Sequence, residues 1–231
     1  MPAPLSIIVP TLNAEAGLPR CLAALAPANE AGLVREVIVS DGGSEDGTLG
    51  IADAAGCTVV TGALGRGAQL ARGAEAARGA WLLFLHADTV LSADWGAAAS
   101  AQSARPGQAG VFRLAFEGAG LRPRLVALGA NARARLASLP YGDQGLLIAR
   151  PLYDALGGYD PALPLFEDVD LVRRLVAARG CRALRVLGAT ARTSPARYER
   201  HGYARRVARN QILLARYLTG TPPRALAAAY R

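Results

Sequence analysis

The chain has 231 residues, 52% of them hydrophobic and 19% charged, with a formal net charge of +8. That composition can fill a core and excludes a disordered chain, and no apolar run reaches the ~18–20 residues that span a bilayer. All 26 basic residues are arginine against 18 acids, so the field favours anionic partners: nucleotide phosphates, nucleic acid or an acidic membrane surface.

Leu5 to Pro10 reads as a buried strand, followed by a helix from Glu15 to about Leu25 with Leu18, Leu22 and Leu25 at helical spacing. A second strand, Glu36 to Ser40, ends at Asp41-Gly42-Gly43, and a helix follows from about Asp46 to Ala55. Cys57 to Thr61 is a short third strand, the loop Gly62 to Gly67 enters a helix ending near Arg78, and Trp81 to Leu85 is a fourth strand. This alternation predicts βαβ units, a mostly parallel sheet with helices on both faces, and ligands beyond the carboxyl ends of the strands. The second half is less regular. Val111 to Phe116 and Gly145 to Ala149 read as strands. Leu121, Leu125, Leu128, Ala132 and Leu136 make an apolar stripe flanked by Arg122, Arg124, Arg133 and Arg135. Helices are expected from Pro151 to Gly157, Phe166 to Arg179, and Tyr203 to Leu218. With no internal repeat or long linker, one domain over residues 1–231 is expected, with a first half to about 105 and a second from about 106.

Cys21, Cys57 and Cys181 form neither a disulfide framework nor a zinc pattern, which fits inert thiols in a reducing cytosol. Met1-Pro2-Ala3-Pro4 enters the first strand without signal-peptide features, so a cytoplasmic protein is expected.

Polar residues gather where the strands should end on one rim. Asp41 either accepts hydrogen bonds from a ligand or belongs to an ordinary acidic turn, with Ser44 capping the next helix. Arg66 could grip phosphate, stack on a base, or stand solvated in its loop. His86 and Asp88, two apart on an extended segment, form either half of a Mg²⁺ or Mn²⁺ site or a hydrogen-bonded pair closing a strand. In Glu167-Asp168-Val169-Asp170, helical phase separates the acids. Asp170 pairs with Arg174 on the outer side and Glu167 favours the helix N-terminus. Asp168 shares a face with Leu171, Val172 and Leu175, and is either a general base in a cleft or a helix-end acid without chemistry. The last helix carries Arg205, Arg206, Arg209 and Arg216 with Tyr203 and Tyr217. It reads as a basic binding face for phosphate, nucleic acid or membrane, or as a solvated surface.

Taken in order, Ile7 to Asn13, Val39 to Ser44, Asp46-Gly47-Thr48, Gly65-Arg66-Gly67, Leu85 to Asp88, Gly157 to Asp160 and Glu167 to Leu171 resemble a family 2 glycosyltransferase of the GT-A type, over residues 5 to 210. Leu85 to Thr89 and Tyr141 to Gly145 most resemble a small bacterial subgroup linked to arsenosugar biosynthesis. The resemblance implies an α/β single domain with a Rossmann-like, mostly parallel sheet, a nucleotide-sugar-binding first half and an acceptor-binding second half. It implies inverting single addition of a sugar from a nucleotide-sugar donor, usually a UDP-sugar, to the hydroxyl of a small-molecule or lipid acceptor. Nucleic acid is not an implied partner, while the basic last helix permits peripheral contact at the inner membrane face. Pro10, Thr11, Leu12, Asn13, Asp41, Arg66, Gly67 and Ala87 would line the nucleotide site, with Asp41 on the base. Asp88, with His86, would hold Mn²⁺ or Mg²⁺ at the diphosphate, Asp168 would be the base, and Asp143, Gln144 and Glu167 would shape the acceptor side. Two departures stand out: His86 occupies a position that is usually Asp, and the usual Asn-Glu pair is Asn13-Ala14-Glu15. The competing readings are a nucleotidyltransferase, whose Gly- and Arg/Lys-rich signature after the first strand is missing, and a non-catalytic basic binding module on a transferase scaffold.

Overall fold

One sheet runs through the computed structural model, which describes residues 4–118 and 120–230, without the side chains at 197, 201 and 228–230. Its strands are β1 (Leu5–Thr11), β2 (Val34–Asp41), β3 (Thr58–Thr61), β4 (Trp81–Phe84), β5 (Val90–Leu91), β6 (Ala109–Phe116), β7 (Leu146–Ala149) and β8 (Leu184–Thr193), in the order β3-β2-β1-β4-β7-β6-β8-β5. Pairing is parallel from β3 through β4 and between β6 and β8; β7 runs antiparallel to both neighbours, and β5 runs antiparallel to β8. The helices are α1 (Leu18–Glu30), α2 (Thr48–Ala54), α3 (Arg66–Ala76), α4 (Trp95–Ser103), α5 (Leu121–Ala137), α6 (Arg150–Ala155), α7 (Glu167–Arg179), α8 (Ala196–His201), α9 (Tyr203–Leu218) and α10 (Pro223–Tyr230).

β1 and β4 are buried along nearly their whole length, as expected of central strands covered on both faces. Gly73 lets α3 lie close on β1, since a Cβ there would stand 2.4 Å from Ile8 Cγ2. A second, smaller cluster of Leu165, Phe166, Val169, Leu213, Leu214 and Leu226 seats α9 and α10 on the start of α7.

Several expected boundaries move. The first helix starts at Leu18, because residues 14–17 form a turn in which the Gly17 N–H meets the Ala14 carbonyl. It then continues through Pro27 to Glu30. β5, α4, β8, α8 and α10 were not anticipated. β8 carries Gly188 and two arginines, Arg185 and Arg192, and its strand character comes from pairing with β6 some 75 residues away. Cys21 is buried, and that burial pushes its thiol up to about 12, whereas Cys181 is exposed.

Candidate active site

The sheet order sets the carboxyl ends of β2, β1 and β4 side by side. The β1–α1 and β2–α2 loops are laced together there. Asn13, in the left-handed region at φ 48°, accepts from the Glu45 N–H through Oδ1 (2.9 Å), while its own N–H donates to Ser44 Oγ (2.8 Å). The Ala14 N–H donates to Thr48 Oγ1 (2.8 Å), and the Gly47 N–H donates to Glu15 (2.9 Å). Below this rim lies a cavity of about 480 Å³, lined by Pro10, Thr11, Leu12, Asn13, Arg66 and Ala87 among others, a size that takes a nucleotide-sized ligand. Gln69, unremarked in the sequence, lines it too. Its amide donates to the Thr11 carbonyl (2.6 Å) and the Ser40 carbonyl (3.1 Å), tying α3 to β1 and β2.

A second chamber, about 120 Å³, opens on the other side. Arg66, His86 and Asp88 line both cavities, so the two spaces meet at these three side chains. On the far wall stand Glu167 and Asp168, the first two residues of α7. Asp168 accepts from the Val169 N–H at Oδ1 (2.7 Å) and from the Gly142 N–H at Oδ2. Gly142 is needed here: a Cβ would lie 2.7 Å from His86 Nε2 and 3.1 Å from Asp168 Oδ2. The backbone just before α7 is strained. Phe166 has φ 64°, a left-handed conformation rare for an aromatic residue, and strain of this kind concentrates at functional sites.

Burial pushes the Asp168 carboxyl above its ordinary range, against Arg66 and the two N–H donors, which pull it down. Burial and the neighbouring Asp168 charge raise Glu167 from 4.5 to about 7, although Arg66 Nε stands 3.6 Å away. For an acid raised this way, the stabilising contribution is fully present below about 4.5 and is lost as pH rises through about 7. Glu167→Gln is therefore expected to raise Tm by several degrees at pH 8 and to leave it nearly unchanged at pH 4, as thermal melts at the two pH values would record.

Of the other candidates, Asp143 lines the chamber, half-buried, with burial lifting its carboxyl to about 6. Three residues sit elsewhere than expected. Asp41 is 1% exposed and lines neither cavity. Its carboxylate accepts from the Thr11 hydroxyl (2.8 Å), the Ser44 hydroxyl (2.6 Å) and the N–H groups of Gly43 (2.8 Å) and Ser44 (2.7 Å). Gly67 is buried beneath the 160–163 loop, where a Cβ would lie 2.5 Å from the Asp160 carbonyl oxygen. Gln144 is fully buried and donates to the Phe112 carbonyl (3.1 Å), which turns it away from the acceptor side. Asp170 pairs with Arg174 (2.7 Å) as its spacing predicts, but Arg174 also donates to the Leu156 and Gly158 carbonyls and so fixes the glycine turn after α6.

Reading along the chain missed Thr193, Ser194 and Asn210 and placed Arg206 only on a basic face, yet all four line the chamber with Tyr141 and Tyr198. The Arg133 guanidinium lies 3.7 Å from the Tyr141 ring centre, and Arg206 stands over Tyr198.

Among the described residues no group of three or more His, Cys, Asp or Glu side chains could enclose a metal. The exposed Asp88 carboxylate and half-buried His86 supply two donors at the cavity junction. An oxygen and an imidazole with open positions left for diphosphate oxygens and water fit a nucleotide-bridged Mg²⁺ or Mn²⁺.

The sheet order and the flanking helices define a GT-A-type α/β fold. Residues 6–113 match the family model described as Glycosyl transferase family 2. Glucosyl-3-phosphoglycerate synthase from Mycobacterium tuberculosis, solved with Mn²⁺, UDP and glucosyl-3-phosphoglycerate, aligns with TM-score 0.59 and 23% identity over 83% of this chain and 70% of its own. The same enzyme with Mn²⁺, UDP-glucose and phosphoglyceric acid aligns with TM-score 0.61 at the same identity and coverage. TarS residues 1–349 from S. aureus align with TM-score 0.58 and 18% identity, over 82% of this chain and 57% of theirs. No curated protein sequence matches the chain. The family match covers less than half of the chain, and these structures share its fold.

Proposed function

We propose that this protein is a glycosyltransferase that moves a sugar from a UDP-sugar to an acceptor hydroxyl in one inverting step. The observation that carries the reading is the meeting of a nucleotide-sized cavity and a smaller chamber at Arg66, His86 and Asp88, with a half-buried carboxylate, Asp168, on the chamber wall. In this reading Pro10, Thr11, Leu12, Asn13 and Ala87 line the nucleotide and Arg66 contacts it. Asp88 and His86 would hold the divalent cation, which when bound offsets charge on the diphosphate leaving group. Asp168 takes the acceptor proton as the hydroxyl attacks the anomeric carbon from the face opposite UDP. The Gly142 N–H aims that carboxylate, and Glu167, on Arg66, keeps the junction acidic. Asp143 shapes the acceptor end. The first half, to about residue 105, serves the donor and the second the acceptor, which is the hydroxyl of a small metabolite or a lipid headgroup. The likeness of Leu85–Thr89 and Tyr141–Gly145 to the arsenosugar subgroup motivates methylated arsenicals as one acceptor class to screen.

Calorimetric titration tests the donor side. UDP is expected to bind more tightly with Mn²⁺ or Mg²⁺ than with EDTA, by roughly tenfold or more, and Asp88→Ala should erase the difference. UDP affinity indifferent to metal in the wild type would refute the cation assignment, and no affinity for UDP, GDP or dTDP would refute the donor site.

A further inference from the structure

α5 faces the opposite way from most helices of a water-soluble domain. Its buried residues are alanines, Ala127, Ala130 and Ala134. Asn131 ties it to the sheet, accepting from the Leu114 N–H (2.8 Å) and donating to the Leu114 carbonyl (3.0 Å) as a neighbouring strand would. Its leucines point outward: Leu121, Leu125, Leu128 and Leu136 are 73%, 57%, 66% and 84% exposed. At about 100° per residue they fall with Ala132 into one arc about 80° wide. Arg122, Arg124 and Arg135 stand exposed along the sides of that arc. Between α5 and α9 runs a largely apolar groove of about 720 Å³, walled by Leu125, Val126 and Gly129 on one side and Tyr203, Val207 and Ala208 on the other. It leads to Tyr141, Asp143 and Tyr198, which also line the acceptor chamber.

Charge selects the occupant. Residues 121–137 and 203–218 contain eight arginines, of which Arg122, Arg124, Arg135, Arg205 and Arg216 are exposed, and not one acid. A second copy of the chain on this face would set arginine rows against each other without acids to match them. Nucleic acid would satisfy the arginines but leave the leucine stripe in water. An anionic bilayer takes both, with phosphates at the arginines and the acyl boundary beneath the leucines. We infer that the α5 stripe and the mouth of the α5–α9 groove dock on an anionic lipid membrane, with the groove opening from the bilayer toward the acceptor chamber.

Full-length protein sedimented with extruded vesicles tests this. Binding to phosphatidylglycerol–phosphatidylcholine vesicles is expected to exceed binding to phosphatidylcholine alone by more than about tenfold, and to weaken with salt. The pair Leu128→Glu and Leu136→Glu should lower that binding by more than about tenfold while UDP affinity is unchanged, which also shows that the variant folds. Leu128→Trp gives a second reading: the native Trp81 and Trp95 are buried, so emission quenched by brominated acyl chains would come from the stripe. Failure to sediment with anionic vesicles, equal binding by the double variant, or an unquenched Leu128→Trp would overturn the inference. So would self-association in the absence of lipid that the two glutamates abolish, since that gives the face to a second copy. Vesicle binding without UDP binding would leave the docking standing and refute the donor site instead.

Discussion

Replacing Asp168 by asparagine is expected to cut sugar transfer by roughly 10²–10⁴-fold, the usual contribution of a positioned general base, while UDP affinity stays as in the wild type. The substitution keeps the size of the side chain and an acceptor for the Gly142 or Val169 N–H, so the site keeps its shape and loses its base. The pH profile sharpens the test. The base works ionised, and burial raises its carboxyl above the ordinary carboxylate range, so kcat/KM should fall on the acid side at a pH higher than a solvent-exposed aspartate would give. Glu167, raised to about 7 beside it, titrates with it, so the limb belongs to the pair rather than to one residue. In the asparagine variant the residual activity should lose that limb. Full activity in Asp168→Asn would refute the assignment of the base.

Asp41→Asn separates a ligand contact from a structural anchor. The Asp41 carboxylate is buried and receives four hydrogen bonds, two of them N–H donors on the same oxygen, Oδ2. Burial alone would raise this acid, yet the donors from Ser44, Thr11 and Gly43 outweigh it and hold the carboxyl below its ordinary value. An amide must turn its NH₂ toward donors wherever it points, leaving buried groups unsatisfied. The expected loss is about 2–4 kcal/mol of stability, measured by denaturant unfolding at pH 7. Because the 41–48 loop is laced to Asn13, UDP affinity should fall with it. A variant as stable as wild type that had merely lost UDP would show that Asp41 acts on the ligand and not on the loop. The same linkage sets a direction with pH: a lowered carboxyl stabilises above its unfolded pKa and loses that contribution as pH falls through the folded one.

How much of this could be read along the chain varies with the range of the interactions. As far as β4, the strands and helices are bounded by their own residues, with glycine turns at Gly42, Gly65 and Gly79 and apolar runs too short for helices, so the alternation and the rim it creates are local information. Helical phase separated Asp170 from Asp168 for the same reason, but not Glu167, which the structure buries more deeply than Asp168 and sets in the same chamber. Gly67 and Gln144 were misplaced because residue type does not tell a backbone that approaches a ligand from one that approaches another loop.

The sequence by itself determined the order of the βαβ units and the polar rim at the ends of β1, β2 and β4. Only the tertiary structure decided that β8 is a strand, since its pairing partner β6 is distant in the chain. It also brought the 141–143 turn against His86 and α7, closing a chamber that no stretch of sequence contains. And it turned the α5 leucines outward: helical periodicity fixes which residues share a face, but which face meets the sheet depends on what packs there, and Ala127, Ala130 and Asn131 let the helix lie closer than leucines would.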